Sequence, residues 1–283
     1  MSHFDTVLTA RGLSLADVER HPRHLAETGG DPGQPFRGRW RAAATAGTTG
    51  RRGVFVWNRS EWATVLASYS RALVWAGVRA GPRHPVRTAV VSSTVPTHQS
   101  AVVGASLSSR MVPTLRLDAR SDLAETIASL NSFRPDVLVG YASALRPLAI
   151  AQRQGRLHIA PRAVISASEV LTDRAAQEMA GAWRTRPFDV YASTETAGIA
   201  SPCTSGTRHL YDDLVIVEPV DHAGDPVPAG SPGSRLLVTV LFSRTLPLIR
   251  YELSDRVTLS SSRCPCGRPF GVLERVDTVR RTS

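Results

Sequence analysis

Thr45-Ala46-Gly47-Thr48-Thr49-Gly50 is a run of small residues that directly follows Ala42-Ala43-Ala44. The segment has almost no apolar surface to bury. It offers consecutive backbone N–H groups and hydroxyls, and its glycines let the main chain approach a ligand closely. These properties are typical of a phosphate-binding loop, but a turn of small residues without a ligand has the same composition. The segment alone leaves both interpretations open.

Two further segments follow in a particular order. Tyr191-Ala192-Ser193-Thr194-Glu195-Thr196-Ala197-Gly198 lies about two thirds of the way along the chain, and Leu248-Ile249-Arg250-Tyr251-Glu252-Leu253-Ser254-Asp255 lies near its end. Together, the three segments resemble the adenylate-forming (AMP-binding) superfamily. Its members carry a Thr/Ser/Gly phosphate loop, then a Tyr-Gly-x-Thr-Glu motif, then an Arg-Tyr-x-x-x-Asp motif.

Three more segments are similar to the phenylacetate–coenzyme A ligase branch of that superfamily: Phe133-Arg134-Pro135-Asp136-Val137-Leu138-Val139-Gly140-Tyr141, Ser168-Glu169-Val170-Leu171-Thr172 and Cys264-Pro265-Cys266-Gly267-Arg268. The resemblance covers about residues 40 to 275. It implies an α/β fold of the type found in the N-terminal domain of adenylate-forming enzymes. In that fold, parallel sheets are covered by helices and a β-rich subdomain follows.

Composition limits the classes of function. The chain has 283 residues, 42% hydrophobic and 20% charged, which is typical of a globular protein with a substantial core. Its net charge of +10 comes from 34 basic and 24 acidic residues, and the sequence contains no lysine. The arginines are dispersed and no nucleic-acid motif occurs, so we expect no nucleic-acid partner. With no apolar run near about 18 residues and no signal-peptide pattern, we expect no membrane span and a cytoplasmic location.

Strand and helix patterns alternate from residue 54 to residue 192, which favours a parallel sheet with covering helices. The predicted strands are 54–57, 87–92, 110–115, 137–139, 163–166 and 188–192. The predicted helices are 13–19 (ending near Pro22), 62–76 (capped by residues 58–61), 99–108, 123–130, 144–154 and 172–183. Strands at 214–217, 235–240 and 256–259 follow. We therefore divide the chain into a lead-in (1–40), an α/β nucleotide- and acid-binding core (41–202) and a β-rich subdomain (203–283).

The resemblance implies roles for the nucleotide-binding residues. The phosphate-contacting residues are Thr45, Gly47, Thr48, Thr49 and Gly50. Thr194 would bond the α-phosphate of ATP or AMP, and Glu195 would bind Mg²⁺, for which a carboxylate is a suitable ligand. Tyr191 and Ala192 would flank the adenine, near Ser168 and Glu169, and Asp255 would accept hydrogen bonds from the ribose. Ser193 would also belong to the nucleotide-binding set.

Five of these residues also have a structural interpretation. Glu195 and Thr194 are suited to a helix N-terminus, as charge and cap. Asp255 is suited to a turn at a strand end. Ser168 and Glu169 are suited to capping a helix that begins at Thr172-Asp173.

The carboxylic acid is expected beside Tyr141 and Ala142 and the small-residue helix that follows Gln99, as the resemblance implies. His98 could face this site, although a histidine in a polar turn is more often simply solvated. The acid itself is not identified by the sequence.

Three cysteines and one histidine form a separate pattern: Cys203, His209, Cys264 and Cys266. An odd number of cysteines argues against a disulfide framework in a cytoplasmic protein. Three thiolates and one imidazole can complete a tetrahedral structural zinc site. The alternative is that these are small buried thiols.

Family members carry a C-terminal lid domain that supplies a lysine, and we expect this lid to be absent here. Two functions follow. The first is an AMP-forming acid ligase that passes an acyl-adenylate to coenzyme A, a carrier-protein thiol or an amine. The second is a non-catalytic relative without a lid that binds nucleotide or acts as a scaffold. The oligomeric state stays open.

Overall fold

The structure, a computed structural model, describes residues 4–45 and 53–277. Four of the predicted phosphate-loop residues, Gly47, Thr48, Thr49 and Gly50, lie outside the described residues. The helices are α1 (Phe4–Val7), α2 (Leu15–Thr28), α3 (Arg59–Trp75), α4 (Gln99–Leu107), α5 (Leu123–Phe133), α6 (Ala142–Arg153) and α7 (Asp173–Trp183). The first seven strands are β1 (Arg41–Ala44), β2 (Val54–Trp57), β3 (Thr88–Ser92), β4 (Thr114–Asp118), β5 (Val137–Gly140), β6 (Ala163–Ala167) and β7 (Phe188–Ser193). The remaining strands are β8 (Ala197–Pro202), β9 (Arg208–Leu210), β10 (Val215–Val220), β11 (Arg235–Val240), β12 (Tyr251–Leu253), β13 (Arg256–Ser260) and β14 (Val272–Asp277).

The large sheet spans most of the described chain, with strand order β13-β14-β9-β8-β7-β6-β5-β3-β4. Strands β4, β3, β5, β6 and β7 are parallel, as their helical crossovers require. From β7 onward, the pairing through β8, β9, β14 and β13 is antiparallel. Strands β10, β11 and β12 form a separate antiparallel sheet. The predicted fold class is confirmed, and the large sheet draws strands from both sides of residue 203.

Helix α3 begins at a capping box, as its sequence predicts. The Asn58 side chain accepts hydrogen bonds from the backbone N–H groups of Ser60 and Glu61, and the Glu61 carboxylate accepts one from the backbone of Asn58. The other carboxylate oxygen of Glu61 accepts from the backbone N–H groups of Arg244 and Thr245, each at 2.7 Å. Glu61 is buried, so one carboxylate holds the helix start against a loop far along the chain.

The prediction that the first long helix ends near Pro22 is wrong. Helix α2 continues to Thr28 and ends at Gly29, whose φ of 66° lies in the left-handed region. Proline lacks an N–H and weakens a helix interior. Here Val18, Pro22 and Leu25 are buried together on one face, and this packing outweighs the lost hydrogen bond.

The strand predicted at 110–115 is also displaced, since β4 runs from Thr114 to Asp118. Ser109 and Val112 instead exchange backbone hydrogen bonds in a turn. Pro113, which has no N–H to donate, separates this turn from the strand. The short helix α1 and strands β8, β9, β12 and β14 were not predicted. In the described part of the chain, no helix is both long and apolar enough to cross a membrane.

Candidate functional site

A cavity of about 470 Å³ lies between the large sheet and helices α3 and α4. Its lining includes residues at the carboxyl ends of β3, β5, β6 and β7, where parallel α/β sheets commonly bind ligands. Most of its walls are aliphatic or small side chains, among them Leu73, Val90, Val103, Leu107 and Val139. The cavity can therefore take a largely apolar group while polar residues meet it at the sheet edge.

Several residues predicted for the site line this one cavity: Tyr141, Ser168, Glu169, Ala192, Ser193 and Thr194. The helix after Gln99 also lines it, through Gln99, Ser100, Val103, Gly104 and Leu107. Ala142 is buried at the start of α6, directly after Tyr141. Residues that are far apart in sequence thus meet because each follows, or lies beside, the end of a parallel strand.

Tyr141 is held by its hydroxyl. That oxygen accepts a 3.1 Å hydrogen bond from the backbone N–H of Ser93 and lies 2.9 Å from Ser100 Oγ. His98, which also lines the cavity, is half-buried, and its Nδ1 lies 2.7 Å from Ser93 Oγ. The ring of Tyr141 therefore has a fixed position at the end of β5.

Glu169 caps a helix, but not the predicted one. Its carboxylate accepts hydrogen bonds from the backbone N–H of Ser143, at 2.8 Å, and from Ser143 Oγ, at 2.9 Å. These contacts satisfy the first turn of α6, whereas Thr172 itself caps α7. Ser168, just before Glu169, has a φ of 68°, which is uncommon for a residue other than glycine and asparagine.

Tyr191 and Asp255 join two of the predicted motifs. The Tyr191 hydroxyl donates a 2.9 Å hydrogen bond to the Asp255 carboxylate. Burial, with the negative charges of Asp255 and Glu195, raises the pKa of Tyr191, so the phenol keeps its proton and remains a donor. Asp255 itself lies in the turn between β12 and β13.

Glu195 lies in the turn that connects β7 to β8, so its interpretation as a helix N-terminal charge is wrong. Burial raises the pKa of Glu195, and the nearby charge of Asp255 raises it further. Within the described residues, no arginine or histidine forms an ion pair with either carboxylate. Two neighbouring carboxylates without a cationic partner fit a divalent cation such as Mg²⁺.

Thr45, the one described residue of the predicted phosphate loop, lies at the base of that loop. Its backbone N–H donates to the Gly53 carbonyl and its hydroxyl accepts from the Gly53 N–H, both at 2.8 Å. The preceding residue, Ala44, lines the cavity. Thr45 and Gly53 are therefore paired at the end of the β1–β2 hairpin, next to a residue of the cavity lining.

Sequence reasoning missed a polar chain across the cavity. The Tyr69 hydroxyl donates to Gln99 Oε1 at 2.8 Å, and Gln99 Nε2 donates to the Thr194 carbonyl at 3.1 Å. Tyr69 lies within the helix predicted over 62–76, and no motif in the sequence marks it as a site residue. A buried tyrosine needs a partner for its hydroxyl, and that requirement was the available signal.

The four predicted metal ligands form one cluster. One donor atom from each of Cys203, His209, Cys264 and Cys266 lies within 4.8 Å of the other three. The sulfurs of Cys203 and Cys264 are 3.7 Å apart, and Cys266 Sγ is 3.2 Å from His209 Nε2. All three cysteines are free, and Cys203 follows β8 while His209 lies in β9.

The geometry of this cluster fits zinc. Thiolates that bind zinc at about 2.3 Å in a tetrahedron lie about 3.8 Å apart, close to the Cys203–Cys264 separation. His209 Nδ1 lies 3.3 Å from the Phe270 carbonyl, which can accept its proton and leave Nε2 free to bind the metal. The set offers four soft or borderline donors and no open position, as in structural zinc sites.

The comparisons with known proteins agree with this architecture. No family model matches the chain. Phenylacetate-coenzyme A ligase of Thermus thermophilus is 23% identical over 238 residues, covering 81% of this chain and 52% of the ligase. This similarity agrees with the resemblance to the adenylate-forming superfamily that the motifs indicate.

Solved structures of adenylate-forming enzymes share the fold. A structure of 2-hydroxyisobutyryl-CoA ligase with 2-HIB-AMP and CoA superposes with a TM-score of 0.70 at 18% identity, covering 92% of this chain and 57% of that chain. ATP-bound MatB from Rhodopseudomonas palustris superposes with a TM-score of 0.57 at 16% identity, covering 82% and 47%. The chain thus spans about half the length of the adenylate-forming proteins that it matches.

Proposed function

We propose that this chain is the nucleotide- and acid-binding part of an AMP-forming carboxylic acid ligase. It would activate an aryl or related acid with ATP to an acyl-adenylate, for transfer to a thiol or an amine. The thiol would belong to coenzyme A or to a carrier protein. The catalytic task is to position the carboxylate against the α-phosphorus and to neutralise charge there.

The observation that carries this proposal is the Tyr191–Asp255 hydrogen bond, with Glu195 close to both residues. It places the second and third adenylate-forming motifs side by side at the end of β7. Asp255 would accept hydrogen bonds from the ribose hydroxyls, while Tyr191, Ala192 and Ser193 would flank the adenine. Ser168 and Glu169 line the larger cavity together with Ala192 and Ser193, whereas Tyr191, Glu195 and Asp255 are not among its lining residues.

Glu195 would hold Mg²⁺ beside the phosphates, and Thr194 would bond the α-phosphate. The ion would neutralise phosphate charge, and the unpaired carboxylates of Glu195 and Asp255 support a cation here. Gln99 donates a hydrogen bond to the Thr194 carbonyl, and this contact helps to position the backbone directly before Glu195. Thr45 and the residues Gly47, Thr48, Thr49 and Gly50 would contact the outer phosphates of ATP.

The acid would occupy the apolar part of the cavity, with its carboxylate towards Tyr141 and Ala142. The described lining includes no lysine or arginine, so a second carboxylate deep in the cavity would find no counter-charge. An apolar acyl or aryl group suits these walls better than a dicarboxylic acid does.

We also propose that Cys203, His209, Cys264 and Cys266 bind a structural zinc ion. The same division of the chain holds as a proposal: a lead-in at 1–40, a ligand-binding core at 41–202 and a β-rich subdomain at 203–283. A cytoplasmic location is part of this proposal, since thiolate zinc ligands persist in a reducing compartment.

Binding and exchange experiments test the ligase function. Calorimetry with ATP or AMP and Mg²⁺ should show saturable binding to the wild-type chain and much weaker binding to Asp255→Ala. A panel of acids is then screened for acid-dependent exchange of pyrophosphate into ATP. Nucleotide binding without exchange for any acid would favour a non-catalytic nucleotide-binding relative, and absence of binding would overturn the nucleotide site.

A further inference from the structure

A second hollow, of about 260 Å³, lies where β1 and α3 begin. It shares no lining residue with the larger cavity. Three arginines surround it together with a glycine, a proline and a tryptophan: Arg39, Arg41, Arg59, Gly38, Pro35 and Trp62. We call this feature the arginine hollow.

The three arginines are not neutralised by a direct contact with an acid. Within the described residues, none of them forms an ion pair or a side-chain hydrogen bond. Arg39 stacks its guanidinium on the ring of Trp40, 4.6 Å from the centroid. Arg41 Nε is buried and has no hydrogen-bond partner. A buried guanidinium donor without an acceptor is costly, so a partner is expected from outside the chain.

Nearby carboxylates are engaged elsewhere. Asp31 accepts hydrogen bonds from the backbone N–H of Gly33 and from Arg116, at 3.0 and 3.4 Å. Burial lowers the pKa of Arg41, and the charge of Asp31 offsets only part of that effect. Glu61 lies two residues after Arg59 in the first turn of α3, but its carboxylate oxygens accept hydrogen bonds from three backbone N–H groups. Neither acid neutralises the positive charge of the three arginines.

We propose that the arginine hollow binds a phosphate group. Guanidinium groups donate paired hydrogen bonds to phosphate oxygens, and three of them around one hollow match a dianion better than a carboxylate. Arg41 lies about 13 Å along β1 from Thr45, the described residue of the predicted phosphate loop. The proposal does not depend on acid activation by the larger cavity.

Calorimetry with pyrophosphate tests the site on the full chain. Wild type is compared with Arg41→Gln, Arg59→Gln and the control Arg153→Gln, which removes the same charge from an exposed position in the last turn of α6. We expect each hollow variant to weaken binding about tenfold and the control to bind like wild type. Arg59 is exposed, so its substitution tests the site even if Arg41→Gln fails to fold.

A loop variant, Thr48→Ala with Thr49→Ala, separates the hollow from the predicted phosphate loop. Retained pyrophosphate binding in this variant supports the hollow. Binding that is lost in the loop variant and kept in both arginine variants overturns the proposal while leaving the ligase proposal intact. Equal weakening in all arginine variants, including Arg153→Gln, also overturns it, since that pattern reports only net charge.

Coenzyme A and 3′-dephospho-coenzyme A then identify the source of the phosphate group. Tighter binding of coenzyme A, lost in Arg59→Gln but not in Arg153→Gln, would assign the hollow to a phosphate carried on a larger nucleotide. Equal binding of the two compounds, with pyrophosphate still dependent on Arg59, would assign it to a free phosphate or pyrophosphate.

Discussion

The Tyr191 hydroxyl and the Asp255 carboxylate form a 2.9 Å hydrogen bond across 64 positions of sequence. Tyr191 lies near the end of β7, and Asp255 precedes β13, four strands away in the large sheet. The bond leaves acceptor capacity on Asp255, because a carboxylate has two oxygens and several lone pairs. Asp255 can therefore be oriented by the protein and still accept hydrogen bonds from a ligand diol.

Replacing Asp255 and Tyr191 separately should distinguish ligand contact from positioning. Asp255→Ala should weaken AMP binding by at least about tenfold, because it removes a charged acceptor. Tyr191→Phe keeps the ring and the carboxylate, so it should weaken binding by less than Asp255→Ala does. Calorimetry gives the dissociation constant of AMP for each variant. An Asp255→Ala protein that binds AMP like wild type would exclude hydrogen bonding of Asp255 to the ribose.

Glu195→Gln should have opposite effects on stability and on metal-dependent binding. The folded-state pKa of Glu195 is raised by burial and by Asp255, so its contribution to stability is present below its ordinary value of 4.5 and is lost as pH rises through the folded value. At pH 7 without Mg²⁺, the uncharged variant should therefore melt higher than wild type, and the difference should shrink as pH falls towards 4.5.

Mg²⁺ titration completes the test of Glu195. The Mg²⁺-dependent part of ATP affinity should disappear in Glu195→Gln, because an amide is a weaker ligand than a carboxylate for this ion. Glu125→Gln is a suitable control, since Glu125 is exposed in the first turn of α5, does not line the cavity and should leave the Mg²⁺ dependence unchanged. Equal Mg²⁺ dependence in wild type and Glu195→Gln would contradict the assigned role.

Metal analysis of purified protein should find about one zinc per chain, as a closed site of four ligands predicts. Chelation, or Cys264→Ser, should destabilise the fold by on the order of 4 kcal/mol, because loss of a structural metal is among the largest single effects. Thermal unfolding with and without chelator measures this. Ser262→Ala, in the same exposed loop, provides the control. Well under one equivalent of any metal would leave the cysteines as ordinary buried thiols.

Glu61→Ala should destabilise the chain far more than Glu125→Ala. Both residues lie in the first turn of a helix, but Glu125 is exposed, whereas buried Glu61 accepts hydrogen bonds from three backbone N–H groups. Leaving buried donors unsatisfied costs about 1–3 kcal/mol for each group. Urea unfolding should show a loss of a few kcal/mol for Glu61→Ala, and a value similar to that of Glu125→Ala would contradict this.

Local patterns predicted most of the parallel half of the fold. The capping box at Asn58 and Glu61 located α3, and short apolar runs located β3, β5, β6 and β7. The antiparallel strands β8, β9, β12 and β14 were harder to predict. β9 and β12 have three residues each, β8 contains Gly198 and Pro202, and β14 carries three charged residues, so each is defined by its partners more than by its own sequence.

The sequence selected candidate site residues, whose roles stay predictions, but it did not predict the contacts among them. Motif order was sufficient to select Tyr191, Glu195 and Asp255. The bond between Tyr191 and Asp255, and the Tyr69–Gln99–Thr194 chain, depend on how strands and helices meet in three dimensions. No spacing rule within one segment predicts such contacts. The same reason applies to Glu169, whose partner Ser143 lies 26 positions away.

Strands β8 and β13 have the metal-ligand cluster near one end and a carboxylate of the proposed nucleotide site near the other. β8 ends at the metal-ligand cluster and begins beside Glu195, and β13 begins beside Asp255 and runs towards Cys264. A continuous hydrogen-bonded ladder from β7 to β13 joins these ends. Oxidation of the thiols, or removal of their ion, should therefore disturb the positions of the proposed nucleotide-binding residues Glu195 and Asp255 through these strands. Titrating AMP against oxidised and reduced protein would show whether the redox state of the thiols sets nucleotide affinity.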